Sequence, residues 1–109
     1  MIKIEFFSGV NGLCGFEATG HAYKGEAGED VLCAFVSSAC LMTANTVTDV
    51  LMLDADAQSD SDGGYLKLMI MEDATPAQDV LNGLKLHLTE IQKDYPKNIK
   101  VINRRCNNA

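Results

Sequence analysis

Between Glu29 and about Ala57 the chain runs without a proline or glycine, and its first half, Val31 to Met42, is apolar all the way round. That pattern predicts one long helix buried on more than one side. Such a helix cannot stand alone, so a sheet has to cover part of it and a second layer or a partner subunit the rest. The small residues Ala34, Ser37, Ser38 and Ala39 permit close approach. The helix is expected to turn acidic at Asp54 and Asp56 and to dissolve into the polar stretch 58–64.

The covering strands are visible as alternation. Ile2, Ile4 and Phe6 alternate with Lys3, Glu5 and Phe7, and after the turn residues 8–12 a second alternation puts Cys14, Phe16 and Ala18 on one face. These two segments predict a β-hairpin. Leu66, Leu68 and Ile70 mark a third strand. Thr75-Pro76-Ala77-Gln78 reads as a capping box with proline at the first helical position, opening a second helix with the stripe Ala77, Leu81, Leu84, Leu88 and Ile91. Pro96 ends it, and 98–103 is a last short strand. The expected order is ββαβαβ: one α+β domain over 1–109, with a mostly antiparallel sheet packed against one long central helix and one amphipathic helix.

A formal net charge of -6, with Arg104-Arg105 the only adjacent basic pair, argues against nucleic acid as a partner. No apolar run approaches the roughly 20 residues that cross a bilayer, and the alternating, charged start MIKIEFF does not resemble a signal peptide. A cytoplasmic protein without membrane attachment is the expectation, and in that compartment disulfides are rare.

The four cysteines then need another account. Cys33 and Cys40 stand seven apart on the long helix, about 10.5 Å along its axis, beyond the roughly 7 Å that a disulfide tolerates between Cα atoms. No zinc-type spacing with His21 or His87 exists, and the acidic group Asp54, Asp56, Asp60 and Asp62 fails the calcium-loop pattern. No metal or cofactor is expected. Cys14 and Cys40 read as small packing hydrophobes, Cys106 as a tail residue and His87 as a boundary residue of the second helix.

Cys33 differs because it enters the long helix directly after a glycine-rich segment, Gly20 to Gly28, which reads as a mobile loop with Gly20, Gly25 and Gly28 as hinges. Amides and the positive dipole end at a helix start favour a thiolate and can hold an oxyanion. His21, separated from Cys33 by the eleven intervening residues, can fold back as a base, and a Cys–His pair suffices for acyl transfer. Asp30, three residues before Cys33, is either a helix cap or a third member orienting His21.

Gly20-His21-Ala22, followed by Asp30-Val31-Leu32-Cys33-Ala34 and then Ser37, resembles the two motifs of the ribosomal-processing cysteine protease family, in order and at the right spacing. Phe35 stands where a small residue would be expected. The resemblance implies an endopeptidase that removes an N-terminal extension from a large-subunit ribosomal protein in bacteria. It places the nucleophile on Cys33 and the base on His21, makes Ser37 a supporting residue, and implies a homodimer through the long helices. Two other readings share the sequence. One is a non-catalytic ribosome-associated adaptor that holds a protein tail; the other is a redox sensor built on Cys33, which has no resolving cysteine within reach on its helix.

Overall fold

The computed structural model describes residues 1–20, 29–60 and 64–106, with the side chains of Glu29 and Asp30 outside that description. The alternating N-terminal segment is strand β1 (Ile2–Gly9), and its hairpin partner is β2 (Gly12–Thr19). Helix α1 covers Glu29–Asn45, and strands β3 (Ala55–Ser59) and β4 (Tyr65–Ile70) follow it. Helix α2 (Gln78–Asp94) leads into the last strand, β5 (Ile99–Arg105). The sheet order is β3-β4-β2-β1-β5, antiparallel except for the parallel β1–β5 pair. The α+β class and the mostly antiparallel sheet are therefore as expected.

The long helix is shorter than its sequence suggests, and an edge strand takes the place of its final turns. After Asn45 the chain makes a π-helical turn, Thr46–Val50. It closes with Leu51 N–H donating to the Thr46 carbonyl (2.8 Å) and Leu53 N–H to the Val47 carbonyl (3.1 Å). Met52 sits between them in the left-handed region at φ 57°, a conformation that stops a helix and is usually given to glycine. The β-branched run Thr46, Val47, Thr48 and Val50 also weakens α-helix locally. Ala55-Asp-Ala-Gln-Ser has little strand propensity of its own. It becomes β3 because β4 offers it a hydrogen-bonding edge, making the order ββαββαβ.

The predicted capping box is also replaced. Asp73 Oδ1 accepts from Thr75 N–H (3.1 Å) and from the Thr75 hydroxyl (2.8 Å), while Thr75 caps nothing with its side chain. Gln78 reaches across to β2 instead. Its Oε1 accepts from Leu13 N–H at 2.9 Å, and its Nε2 donates to the Leu13 carbonyl at 2.7 Å and to Ala74 at 3.0 Å. This amide pairing fastens the start of α2 to the β1–β2 hairpin.

Both helices contribute to one core on the sheet. Ile4, Phe6 and Phe16 meet Leu81 and Leu88 of α2 and Leu32, Val36, Cys40 and Ala44 of α1. The register slips between Phe7 and Ser8, leaving Cys14 as a bulge. Leu13 thereby turns into the core, and Cys14 does not join it, contrary to the strict alternation expected. By length and composition Val31–Val50 is apolar enough to cross a bilayer, which run length in the sequence did not suggest. Its stripe of Leu32, Val36, Cys40, Ala44 and Val47 is nevertheless built into the core, as in a core helix. The opposite face, with Val31, Phe35 and Met42, is exposed.

Candidate active site

The start of α1, the end of β2 and the β3–β4 end of the sheet enclose a cavity of about 150 Å³. Cys33 lines it half-buried, four residues into α1, and Ser37 follows one turn later on the same wall. Val36, Cys40 and Leu41 continue that wall, making it chiefly apolar. The Cys33 amide already belongs to the helical ladder. The N–H groups left over for an oxyanion are those of the helix's first turn, just before it.

Gly20 closes the opposite side. Its N–H donates to the Gly64 carbonyl at 3.2 Å, and its φ of 98° is one that L side chains rarely adopt. A Cβ there would lie 2.2 Å from the Met1 carbonyl oxygen. The backbone is thus fixed in direction and position at the residue that precedes His21, at the rim of the cavity holding Cys33. His21, Gly25 and Gly28, with the mobility expected of the 20–28 loop, lie outside the described residues, as does the side chain of Asp30.

The cavity contains a second thiol, and the two are chemically unlike. Cys40 is 1% exposed, and burial pushes its thiol up to about 12, so it cannot ionise near neutrality. Half-buried Cys33 is the accessible sulfur of the pair. Tyr65 at the rim donates its hydroxyl to Glu17 Oε2 at 2.7 Å; that bond, chiefly, holds the phenol up to about 12. It is therefore protonated and no rival to an imidazole base. Phe35 points to solvent at 59% exposure and does not line the cavity, so its bulk leaves the pocket unchanged. His87 is exposed on α2, far along the chain from this site. Among the described residues no three His, Cys, Asp or Glu side chains converge as metal ligands.

Three contributors to the cavity were not legible in the sequence: Ser59 and Asp60 at the end of β3, and Gly64. They arrive through the β3–β4 pairing, whose only sequence signal is the Gly-Gly pair before Tyr65.

The same architecture occurs in solved bacterial proteins. A Streptococcus mutans protein is 26% identical with a TM-score of 0.85, covering 97% of this chain and 96% of its own. The essential ribosomal processing protease Prp of Staphylococcus aureus, crystallised with a covalently linked product peptide, has a TM-score of 0.83 at 24% identity, covering 95% of this chain and all of its own. The ribosomal processing cysteine protease Prp of Bacillus subtilis is 32% identical over 95 residues, 83% of this chain and 85% of that protein. Its Staphylococcus aureus counterpart is 28% identical over 83 residues, 75% and 78% of the two chains. The family model for cysteine protease Prp matches residues 1–100. With that match spanning nearly the whole chain, and a relative above 30% identity over most of its length, this chain belongs to the cysteine protease Prp family.

Proposed function

We propose that this cysteine protease is an endopeptidase that removes the N-terminal extension of a large-subunit ribosomal protein, with Cys33 as nucleophile and His21 as base. The observation that carries the site assignment is the shared cavity: Cys33 lines it from α1, and Gly20, bonded to His21, lines it from just past the end of β2. The relatives' designation as ribosomal processing proteases supports the substrate. An apolar pocket beside Cys33 suits a bulky apolar side chain next to the scissile bond.

In this reading His21 takes the thiol proton and the Cys33 sulfur attacks the scissile carbonyl carbon. First-turn amides of α1 receive the oxyanion. His21 returns the proton to the leaving amine, which departs with the C-terminal product. Water, deprotonated by the same imidazole, then attacks the thioester and frees the carboxylate and the thiol. Asp30 and Ser37 are supporting residues. Gly25 and Gly28 are in this reading the hinges by which the 20–28 loop admits and covers the peptide, while Gly20, expected as a third hinge, is its pinned end, held by the hydrogen bond to the Gly64 carbonyl.

The exposed apolar face of α1, with Val31 54%, Phe35 59% and Met42 63% accessible, supports a second copy of the chain packing through these helices. The enzyme would act in the cytoplasm, where ribosomes are assembled.

The test is cleavage of a peptide spanning the extension and mature start of the host's ribosomal protein, by wild type, Cys33→Ala and His21→Ala. Cleavage at one bond, lost in both variants, is the expected result. Binding by all three without cleavage would replace the protease with an adaptor that uses the same groove.

A further inference from the structure

Strand β3 is outermost on its side of the sheet, and among the described residues no segment pairs with its outer edge. Its register against β4 decides which backbone groups that edge presents. Asp60 N–H donates to the Tyr65 carbonyl (3.1 Å) and Met71 N–H to the Asp54 carbonyl (2.8 Å), with an unbroken register between them. Hydrogen-bonded pairs alternate along an antiparallel ladder, so Asp56 and Gln58 also direct their backbone groups to β4. The N–H and C=O groups of Ala55, Ala57 and Ser59 therefore point away from the sheet.

Edge strands are commonly protected by lysine, proline or a bulge, and Ala55-Asp-Ala-Gln-Ser has none of these. The side chains on its helix-facing side, opposite Ile70, Leu68 and Leu66, are the small ones of Ala55, Ala57 and Ser59, which leave room for a neighbour. The strand also ends at the candidate active site. Ser59 and Asp60 line the cavity whose other wall carries Cys33, Ser37 and Leu41. Leu41 is 48% exposed, apolar surface that an incoming side chain can cover.

We propose that β3 is the substrate-docking strand: an extended segment of the substrate pairs with its outer edge and leads the scissile bond into the Cys33 cavity. The proposal rests on the protease reading above. Pairing with Ala55, Ala57 and Ser59 supplies backbone hydrogen bonds, while alternate side chains of the bound segment fall towards the cavity and towards the outer face of the sheet. Charge selects the occupant. A second copy pairing about a two-fold axis sets Asp56 against itself when centred on Asp56, Asp54 against Asp60 when centred on Ala57, and Asp56 against Asp60 when centred on Gln58. Like charges directly opposite are destabilising. A segment of a ribosomal protein, whose contact with RNA calls for Lys and Arg, meets the same carboxylates as their complement.

The experiment uses the full chain with Cys33→Ala, which cannot cut, saturated with the peptide spanning the extension and mature start. Amide hydrogen exchange is read residue by residue by NMR. The amides of Ala55, Ala57 and Ser59 should exchange freely in the free protein and about tenfold more slowly in the complex. In the cleavage assay, Ala57→Pro in the otherwise wild-type chain removes only an outward N–H, at a position where an edge strand tolerates proline. Its KM should rise about tenfold with kcat little changed, and an unchanged KM would count against the docking strand. Bound peptide with the three amides exchanging as in the free protein would overturn the proposal and leave the protease reading standing. Amides already slow without peptide would mean that the edge is covered within the chain, and would overturn it equally. A peptide that does not bind would remove the substrate reading and this proposal with it.

Discussion

Gly20 connects the sheet to the proposed base, and replacing it with alanine tests whether that connection carries catalysis. At φ 98° an L-residue is strained, by roughly 1–2 kcal/mol. The new Cβ would also lie 2.2 Å from the Met1 carbonyl oxygen, where the neighbour is backbone and cannot swing aside. Separating these atoms to ordinary contact means moving the chain by about 1 Å, and a displacement of that size at a catalytic group can cost ~100-fold in rate. Gly20→Ala should therefore lose about 2–3 kcal/mol of stability and about two orders of magnitude in kcat/KM. Gly83→Ala is the control: Gly83 is exposed within α2, and a Cβ there meets nothing within 4 Å. That change should stabilise by roughly 0.5–1 kcal/mol and leave activity alone. Urea denaturation followed by circular dichroism gives the first quantity and peptide cleavage the second. Full stability and activity in Gly20→Ala would refute the strain argument. A destabilised protein with unchanged kcat/KM below its unfolding midpoint would refute the link from Gly20 to the base.

Gln78→Ala removes the amide pairing that satisfies Leu13 N–H and C=O. It should cost about 2 kcal/mol in urea denaturation, and Gln78→Glu, which keeps the acceptor and loses the donor, should recover part of it. Met52→Gly relieves a left-handed side-chain-bearing residue that is 76% exposed, and a gain of about 0.5–1 kcal/mol is expected. Asp73 is held below its usual value of 3.8, chiefly by the hydrogen bond from the Thr75 hydroxyl and next by that from the Thr75 amide. Because the folded value is the lower one, its contribution is present above pH 3.8 and lost as pH falls through the folded value. The gap in urea midpoint between wild type and Asp73→Ala should therefore be constant near neutrality and close in acid.

The strands β1, β2, β4 and β5 and the amphipathic helix α2 were legible because each carries a period that local backbone geometry imposes. Ile2, Ile4 and Phe6 repeat every second residue, and Leu81, Leu84 and Leu88 repeat along one helical face. The end of α1 was not legible, because nothing about a methionine at position 52 announces a left-handed backbone. The strand Ala55–Ser59 was hidden for a related reason: its residues are strand-like only once β4 supplies partners. The cap failed in the same way, since Gln78 serves the neighbouring hairpin rather than its own helix.

For the site, the residue types and their order along the chain were enough to nominate Cys33 and His21. A thiol entering a helix after a glycine-rich segment carries its electrostatics with it, whatever the rest of the chain does. Distances between elements are another matter. That Gly20 reaches the rim of the Cys33 cavity and that Cys40 is sealed while Cys33 is not both depend on strand register and helix packing. Periodicity is a local property and is written in the sequence; which thiol is dry and which is accessible is set by contacts between residues far apart in the chain.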